Sequence, residues 1–415
     1  MAKLENYLWE KLYPVNDTVL EMGVQLRMIF NHGYSIKIDA NRCLNQWHEG
    51  AQCTHCIDNC PSNALLLDEN EIGLNRNLCI GCGLCLSDCP TQAFSSNQWD
   101  ETTIVGAVEK EEWEVTELFC ANHSSPYKQE KDKQRGAIQL PACLSTISKG
   151  GYYELGSITK LELHQEQCET CPMAKTLTRL EYNTGTAAEW LKASGREINI
   201  SFLYKGKNGL TRKNLRAIET GLKVTSRREL FVSLINRGRN ELIKKVNEFA
   251  DSKSSTKKSV QLRPGKCLPD WRKRLADIYP KDQTNVSNPA FWPTIEINDK
   301  CVKCEMCSKF CPAGALQTVM EKGELTHFFN SGLCIDCRTC QLFCSRQAIT
   351  RDRKQIDNPF EIIPIASKRV ATCQTCGKPT YDQSKHLCYM CEKDSVNEDR
   401  LVTACKKMFF SIGNT

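Results

Sequence analysis

The sequence predicts an α+β multidomain protein in which two similar cysteine-rich modules bracket a central α/β domain with a parallel sheet. Three observations carry that expectation. Sixteen of the 26 cysteines fall into four runs, arranged as two pairs that start at Cys43 and Cys301. Between the pairs, short apolar stretches alternate with a helical one, the pattern of βαβ units. Near the end of the sequence, Cys373-x-x-Cys376-Gly377 and Cys388-x-x-Cys391 form two knuckles. A length of 415 residues suggests two to four domains.

Each run has a similar entrance and exit. Ile36–Asp39, Ile72–Asn75, Ile295–Asn298 and Leu325–Phe328 alternate apolar and polar residues ahead of a cysteine loop, which predicts a short strand before each. After the fourth cysteine comes a short tail of small and apolar residues: Pro61–Leu65, Pro90–Phe94, Pro312–Leu316 and Ser345–Ile349. The runs are Cys43/Cys53/Cys56/Cys60, Cys79/Cys82/Cys85/Cys89, Cys301/Cys304/Cys307/Cys311 and Cys334/Cys337/Cys340/Cys344. The second and third match C-x2-C-x2-C-x3-C-P, a spacing whose thiolates ligate [4Fe-4S] clusters. The fourth has Ser345 in place of the proline, and the first reaches Cys43 across a stretched loop, Gly50 standing where the regular spacing puts a cysteine.

Spacing, the following proline and the tail recur together, and with them residues 36–98 and 295–352 resemble the two-cluster bacterial ferredoxin. In that family three cysteines of one run and the last of the other share a cluster. Carried over, the resemblance implies Cys43, Cys53, Cys56 and Cys89 for one cluster, and Cys79, Cys82, Cys85 and Cys60 for the next. In the second module it implies Cys301, Cys304, Cys307 and Cys344, then Cys334, Cys337, Cys340 and Cys311. Zinc sites are the competing reading of the runs, but they do not usually need a crossed eight-cysteine pattern. At the stretched loop, His48 or His55 is an alternative iron ligand, and Trp47 a candidate docking anchor.

In the central part, strands are expected at Trp113–Phe119, Gly136–Ala142, Ile158–His164 and Glu197–Leu203, with a helix near 172–194. Cys120, Cys143, Cys168 and Cys171 fall near expected strand ends, where ligands of parallel sheets collect. The pattern around Leu140–Leu144 and Cys168–Pro172 is similar to the delta-subunit domain of methyl-viologen-reducing hydrogenases, which implies a [2Fe-2S] cluster and partner redox subunits. The closely spaced first cysteine pair of that family is not evident at Cys120. The residues themselves leave a [2Fe-2S] cluster, a second zinc, and buried or redox-active thiols open.

The terminal Cys373, Cys376, Cys388 and Cys391 read as a zinc-ribbon-like site, two knuckles offering four thiolates to one tetrahedral ion, with rubredoxin-like iron as the competitor. Cys267 and Cys405 are left over as single thiols. The expected layout is a helical extension at 1–35, a ferredoxin module at 36–105, the α/β four-cysteine domain at 106–204 and a basic helical segment at 205–250. A linker at 251–294, a second ferredoxin module at 295–365 and the zinc-ribbon-like tail at 366–415 follow.

The opening residues show no apolar signal region, and no stretch is apolar enough to span a bilayer, so the cysteines are expected reduced and metal-bound in the cytoplasm. A formal charge of +6 is too mild to imply nucleic acid. No GxGxxG, P-loop, HExxH or nucleophile elbow is present, although flavin can be bound without a short motif. The expectation is therefore a wiring subunit with four [4Fe-4S] clusters, a zinc ion and no catalytic residue. It would join an electron donor or acceptor protein to a catalytic oxidoreductase subunit of molybdopterin, flavin or hydrogenase type. The rivals are an enzyme reducing a disulfide or sulfur compound at the central cysteines, and a redox-sensing or assembly protein.

Overall fold

The computed structural model describes residues 36–47, 49–96, 100–121, 134–166, 168–171, 173, 175–203, 216–219, 267–280, 289–321, 323–369, 371–377, 379–380, 387–388 and 390–394. The expected helical extension at 1–35, His48, Cys405, residues 251–266 and the 205–250 segment apart from 216–219 lie outside them, as does the side chain of Trp47.

The first module is made of two small antiparallel pairs. Strand β1 (Ile36–Ile38) pairs with β4 (Phe94–Ser96), and β2 (Leu65–Asp68) pairs with β3 (Glu71–Leu74). Glu69 and Asn70, both at positive φ, make the two-residue turn whose twist suits the β2–β3 hairpin. One-turn helices at His55–Asp58 and Leu84–Asp88 sit inside the cysteine loops.

Helix α1 (Glu101–Glu111) then opens the central domain, its N-terminus capped by Asp100, which accepts from the Thr103 N–H at 2.9 Å. Strand β5 (Val115–Phe119), β6 (Arg135–Gln139), helix α2 (Lys149–Ile158), β7 (Lys160–His164), helix α3 (Lys175–Ala193), β8 (Ile200–Leu203) and β9 (Arg216–Glu219) follow. The sheet is parallel in the order β8-β7-β5-β6-β9. Its middle strands are buried, as expected of parallel strands covered by helices. The four strands expected from sequence are present with shorter bounds. Strand β9 falls where a basic helical segment is expected, and it closes the sheet by pairing with β6.

The segment expected to be a linker contributes helix α4 (Asp270–Ile278), which joins all three parts. Its Leu275, followed by Tyr279, belongs to the central core with Ile104, Leu118, Ile138 and Tyr152. Trp271 lies against Gly150 of α2 so closely that a β-carbon there would stand 2.3 Å from its ring. Toward the first module, the Asp270 N–H donates to Gln92 Oε1 at 2.7 Å, and Arg42 Nη2 donates to the Leu268 carbonyl at 3.3 Å. Toward the second, Arg272 Nη1 donates to the Gly332 carbonyl at 2.9 Å, and the Cys267 N–H to the Pro312 carbonyl at 3.0 Å. Proline at 269 and the surrounding charges hid this helix, because its nine residues are too few for a strong periodic signal.

The second module repeats the first. Strand β10 (Phe291–Ile297) pairs with β13 (Ile349–Gln355), and β11 (Leu316–Glu321) pairs with β12 (Glu324–Phe329). It adds β14 (Ile363–Arg369) to the free edge of β12, making a three-stranded sheet. Strands β15 (Ala371–Thr372) and β16 (Pro379–Thr380) form a ladder in the tail. Among the described residues, no helix is long and apolar enough to cross a membrane.

Candidate functional site

The cysteine loops are shaped by left-handed residues at fixed places. The residue before the second cysteine has positive φ in all four runs: Gln52, Gly81, Lys303 and Asp336. The residue after it does so in three: Gly83, Glu305 and Arg338. Such alternation turns successive backbone N–H groups to one side and makes a concavity suited to a negatively charged body. Only the second run marks these positions with glycine. In the others, non-glycine residues hold a conformation that costs about 1–2 kcal/mol each.

The small-residue tails have a geometric purpose. Asn63, Gln92, Gly314 and Gln347, each three residues past a fourth cysteine, all have positive φ. That turn aims the following N–H groups back at the sulfur. Ala64 donates to Cys60 Sγ at 3.2 Å, Ala93 to Cys89 Sγ at 3.3 Å and Ala348 to Cys344 Sγ at 3.2 Å. Leu316 donates to Cys311 Sγ at 3.5 Å. N–H groups on thiolate sulfur favour the more negative state of a cluster and so raise its potential.

The fold brings cysteines of different runs together. Cys89 acts electrostatically on Cys43, Cys53 and Cys56, and Cys60 on Cys82 and Cys85, which also feel Cys79. In the second module Cys344 acts on Cys301 and Cys307, and Cys311 on Cys337 and Cys340. Cys60, Cys79, Cys82 and Cys85 line one cavity together with Cys56, and Cys301, Cys304, Cys307 and Cys344 another. Burial is the main cause that pushes Cys53 up to about 11 and Cys307 to about 12, and neighbouring sulfurs add to it. Crowded buried thiols of this kind are stable as thiolates when cations share them, so the donor chemistry fits a metal cluster.

The stretched loop before Cys53 is folded by one side chain. Asn45 is buried, accepts the Cys53 N–H at 2.8 Å and donates to the Cys53 carbonyl at 2.9 Å. Replacing Asn45 with alanine leaves both backbone groups without these partners, at about 1–3 kcal/mol each where they stay dry. Faster loss of visible absorbance in air than in the parent protein is the expected outcome, with most of the chromophore unaffected. His55 is exposed.

The central cysteines also converge. Cys168 is pushed up to about 12 by burial first, then by Cys120, Cys143 and Cys171. The set abuts the first module: the Cys143 N–H donates to the Cys82 carbonyl at 3.2 Å, and Cys143 and Cys171 pack against Ile80, Cys82 and Met173. Beneath it, sequence reasoning missed a buried polar chain. His164 joins Glu117 through Nε2 at 2.7 Å and Glu166 through Nδ1 at 2.8 Å, while Arg135 bridges Glu117 at 3.1 Å and Glu162 at 2.6 Å. Strands β5, β6 and β7 carry Glu117, Arg135, Glu162 and His164, with Glu166 just past β7, but a lone histidine at a strand end gave no separate signal.

In the tail, the sulfurs of Cys373, Cys376, Cys388 and Cys391 lie within 4.8 Å of one another, the one such four-residue group among the described residues. Cys376 and Cys388 Sγ are 3.6 Å apart. A single tetrahedral ion with metal–sulfur bonds of about 2.3 Å separates its sulfurs by about 3.8 Å, so the spacing of this set fits one such ion. Burial raises the Cys373 thiol, but backbone N–H groups around Cys388, Cys376 and Thr375 outweigh it and bring it down to about 6.

Comparison with known proteins follows these loops. Residues 51–94 match the family model described as a 4Fe-4S dicluster domain, and residues 295–317 match a 4Fe-4S binding domain. The chain is 40% identical over 65 residues to pyruvate synthase subunit PorD of Methanocaldococcus jannaschii, covering 16% of this chain and 71% of the relative. It is 32% identical over 60 residues to an uncharacterized ferredoxin of the same organism, covering 14% of this chain and 89% of the relative. It is 45% identical over 42 residues to hydrogenase-4 component A of Escherichia coli (strain K12), covering 10% of this chain and 20% of the relative. Cys43 lies outside the matched dicluster segment. Through these segments the chain belongs to the 4Fe-4S ferredoxin family, and it is a ferredoxin-type iron–sulfur electron-transfer protein.

Proposed function

We propose that this chain relays electrons through four [4Fe-4S] clusters between a donor or acceptor protein and the catalytic subunit of a larger oxidoreductase. The observation that carries this reading is the order in which the cysteine sets adjoin. The central set meets Cys82, and Cys85 of the next set feels Cys56 of the one after. Cys53 and Cys89 then face the same cavity as Cys334 and Cys337, and Cys340 feels Cys307 of the last set. These adjacencies support reading the five sets as successive stations of one relay. The relatives named as subunits of pyruvate synthase and of a hydrogenase support a catalytic partner.

When bound, each cluster supplies a reversible one-electron store. The chain's own residues set its surroundings. Thiolates Cys43, Cys53, Cys56 and Cys89, and Cys79, Cys82, Cys85 and Cys60, would hold the first module's pair. Cys301, Cys304, Cys307 and Cys344, and Cys334, Cys337, Cys340 and Cys311, would hold the second's. The tail N–H groups hold the fourth sulfurs in place, and Ile36, Leu65, Ile297 and Ile349 keep water from the cavities. For the central set, burial of Cys168 and Cys171 argues against reactive free thiolates and supports a bound metal, as [2Fe-2S] or zinc. The compact terminal set is assigned to one zinc ion, which fixes the tail without carrying electrons.

Iron and acid-labile sulfide on anaerobically purified protein are the direct test. About sixteen irons per chain are expected from four cubanes, with about one zinc that disappears in Cys376→Ser. Fewer than about eight irons would sink the four-cluster reading. Loss of a distinct chromophore in Cys168→Ser would assign iron to the central set, and an unchanged spectrum with loss of a second zinc would assign zinc.

A further inference from the structure

Fully buried in β12, His327 has no hydrogen-bond partner on either ring nitrogen among the described residues. Leu325, His327 and Phe329 are the buried positions of this strand, so the imidazole stands where the alternation otherwise puts apolar side chains. Thr318, opposite it on β11, is engaged with the Ser308 hydroxyl at 3.0 Å. Ala366, opposite it on β14, has no polar side-chain atom to offer. The imidazole lines the cavity on which Cys301, Cys304, Cys307 and Cys344 converge. Buried polar groups are almost always satisfied, by protein, water or ligand, and cluster sulfur accepts hydrogen bonds.

The first module puts isoleucine in the same place. Ala64 and Ala315 accept the N–H groups of Asn75 and Asn330, each at 2.8 Å, which aligns the two hairpins residue for residue. Leu67 then pairs with Ile72 as Thr318 pairs with His327. Ile72 packs in the apolar group that includes Cys56 and Cys89. An apolar side chain thus fits this position, and an unpaired imidazole there costs stability that isoleucine does not. Its presence beside one cysteine set, and not beside the counterpart set, points to a use at that set.

We propose that the His327 N–H donates to sulfur of the [4Fe-4S] cluster held by Cys301, Cys304, Cys307 and Cys344, which raises that cluster's potential and biases electrons toward this last set of the relay. An imidazole carries at least one N–H whether neutral or charged, so the donor is present in either state. The reduced cluster carries one more negative charge than the oxidised one, and a donor on its sulfur favours that state. His327 keeps its proton throughout. The inference rests on the relay reading, because a cluster at this set supplies the acceptor.

The test is a potentiometric titration of full-length, cluster-loaded protein under anaerobic conditions, followed by electron paramagnetic resonance. His327→Ile, which copies Ile72, should make reduction of one cluster about tenfold less favourable, a fall of about 59 mV for one electron. Iron content and the other centres should stay unchanged. His327→Gln restores an N–H donor and should recover most of that shift. In protein carrying isotope-labelled histidine, pulsed hyperfine spectroscopy of the reduced cluster should show a weak nitrogen coupling that His327→Gln removes. That measurement serves if His327→Ile fails to fold. Unchanged potentials in both variants at full iron content would overturn the proposal and leave the relay reading standing. Equal shifts in both variants would assign the change to packing and overturn the hydrogen bond. A nitrogen coupling of directly bonded size would make His327 a ligand and overturn it as well. Parent protein with fewer than about eight irons would instead sink the relay reading, and this inference with it.

Discussion

Replacing Cys89 with alanine is expected to remove the cluster of Cys43, Cys53 and Cys56 and to spare that of Cys79, Cys82 and Cys85, the neighbours in its own run. The one-turn helix Leu84–Asp88 carries the chain across the module before Cys89, whose N–H still bonds the Cys85 carbonyl at 3.3 Å. Its sulfur then acts on Cys43, Cys53 and Cys56. The single variant should lose about four irons, one cubane's content. Non-additivity gives the sharper check. Cys43→Ala with Cys89→Ala should lose no more iron than either alone, and Cys79→Ala with Cys89→Ala should lose about eight. The reverse pattern, measured as iron per folded chain, would assign each run its own cluster and break the proposed line of centres.

The cysteine chemistry was legible because ligand spacing is a local property of the chain. So were the strands ahead of the runs and the four strands of the central sheet, whose apolar residues alternate or cluster over a few positions. Less legible was what shapes the loops. Gly81 and Gly83 announce their left-handed turns, but Lys303, Glu305, Asp336 and Arg338 occupy the same places without any sequence sign. There the surrounding structure overrides local preference. Strands β9 and β14 gain their place from long-range pairing with β6 and β12, which no window of sequence contains. The cavity that Cys53 and Cys89 share with Cys334 and Cys337 is the extreme case. Its lining comes from segments hundreds of residues apart, and Arg272 and Trp271 read as linker until α4 sets them between the modules.

Arg274→Met is expected to loosen that arrangement. Arg274 Nη2 donates to Glu101 at 2.6 Å and Nε to Glu154 at 2.7 Å, joining α4 to α1 and α2. Glu101 also accepts the Ser148 N–H at 2.7 Å and its hydroxyl at 3.0 Å, so the same carboxylate braces the N-terminus of α2 just before Lys149. Removing the cation leaves two largely buried carboxylates facing each other. Loss of one member of a buried pair costs about 3–5 kcal/mol, and partial exposure of Arg274 reduces that to about 2–3 kcal/mol here. Burial already raises the Glu154 carboxyl above its ordinary value, with Glu101 adding to the shift, and Arg274 opposes both. Without the arginine the folded protein holds that proton more tightly than the unfolded chain does. The deficit in stability should therefore be full at neutral pH and shrink as pH falls into the range where the raised carboxyl protonates. Urea unfolding of both proteins at pH 7.5 and pH 5.5 measures this. An equal deficit at both values would show that Arg274 acts by packing rather than by charge.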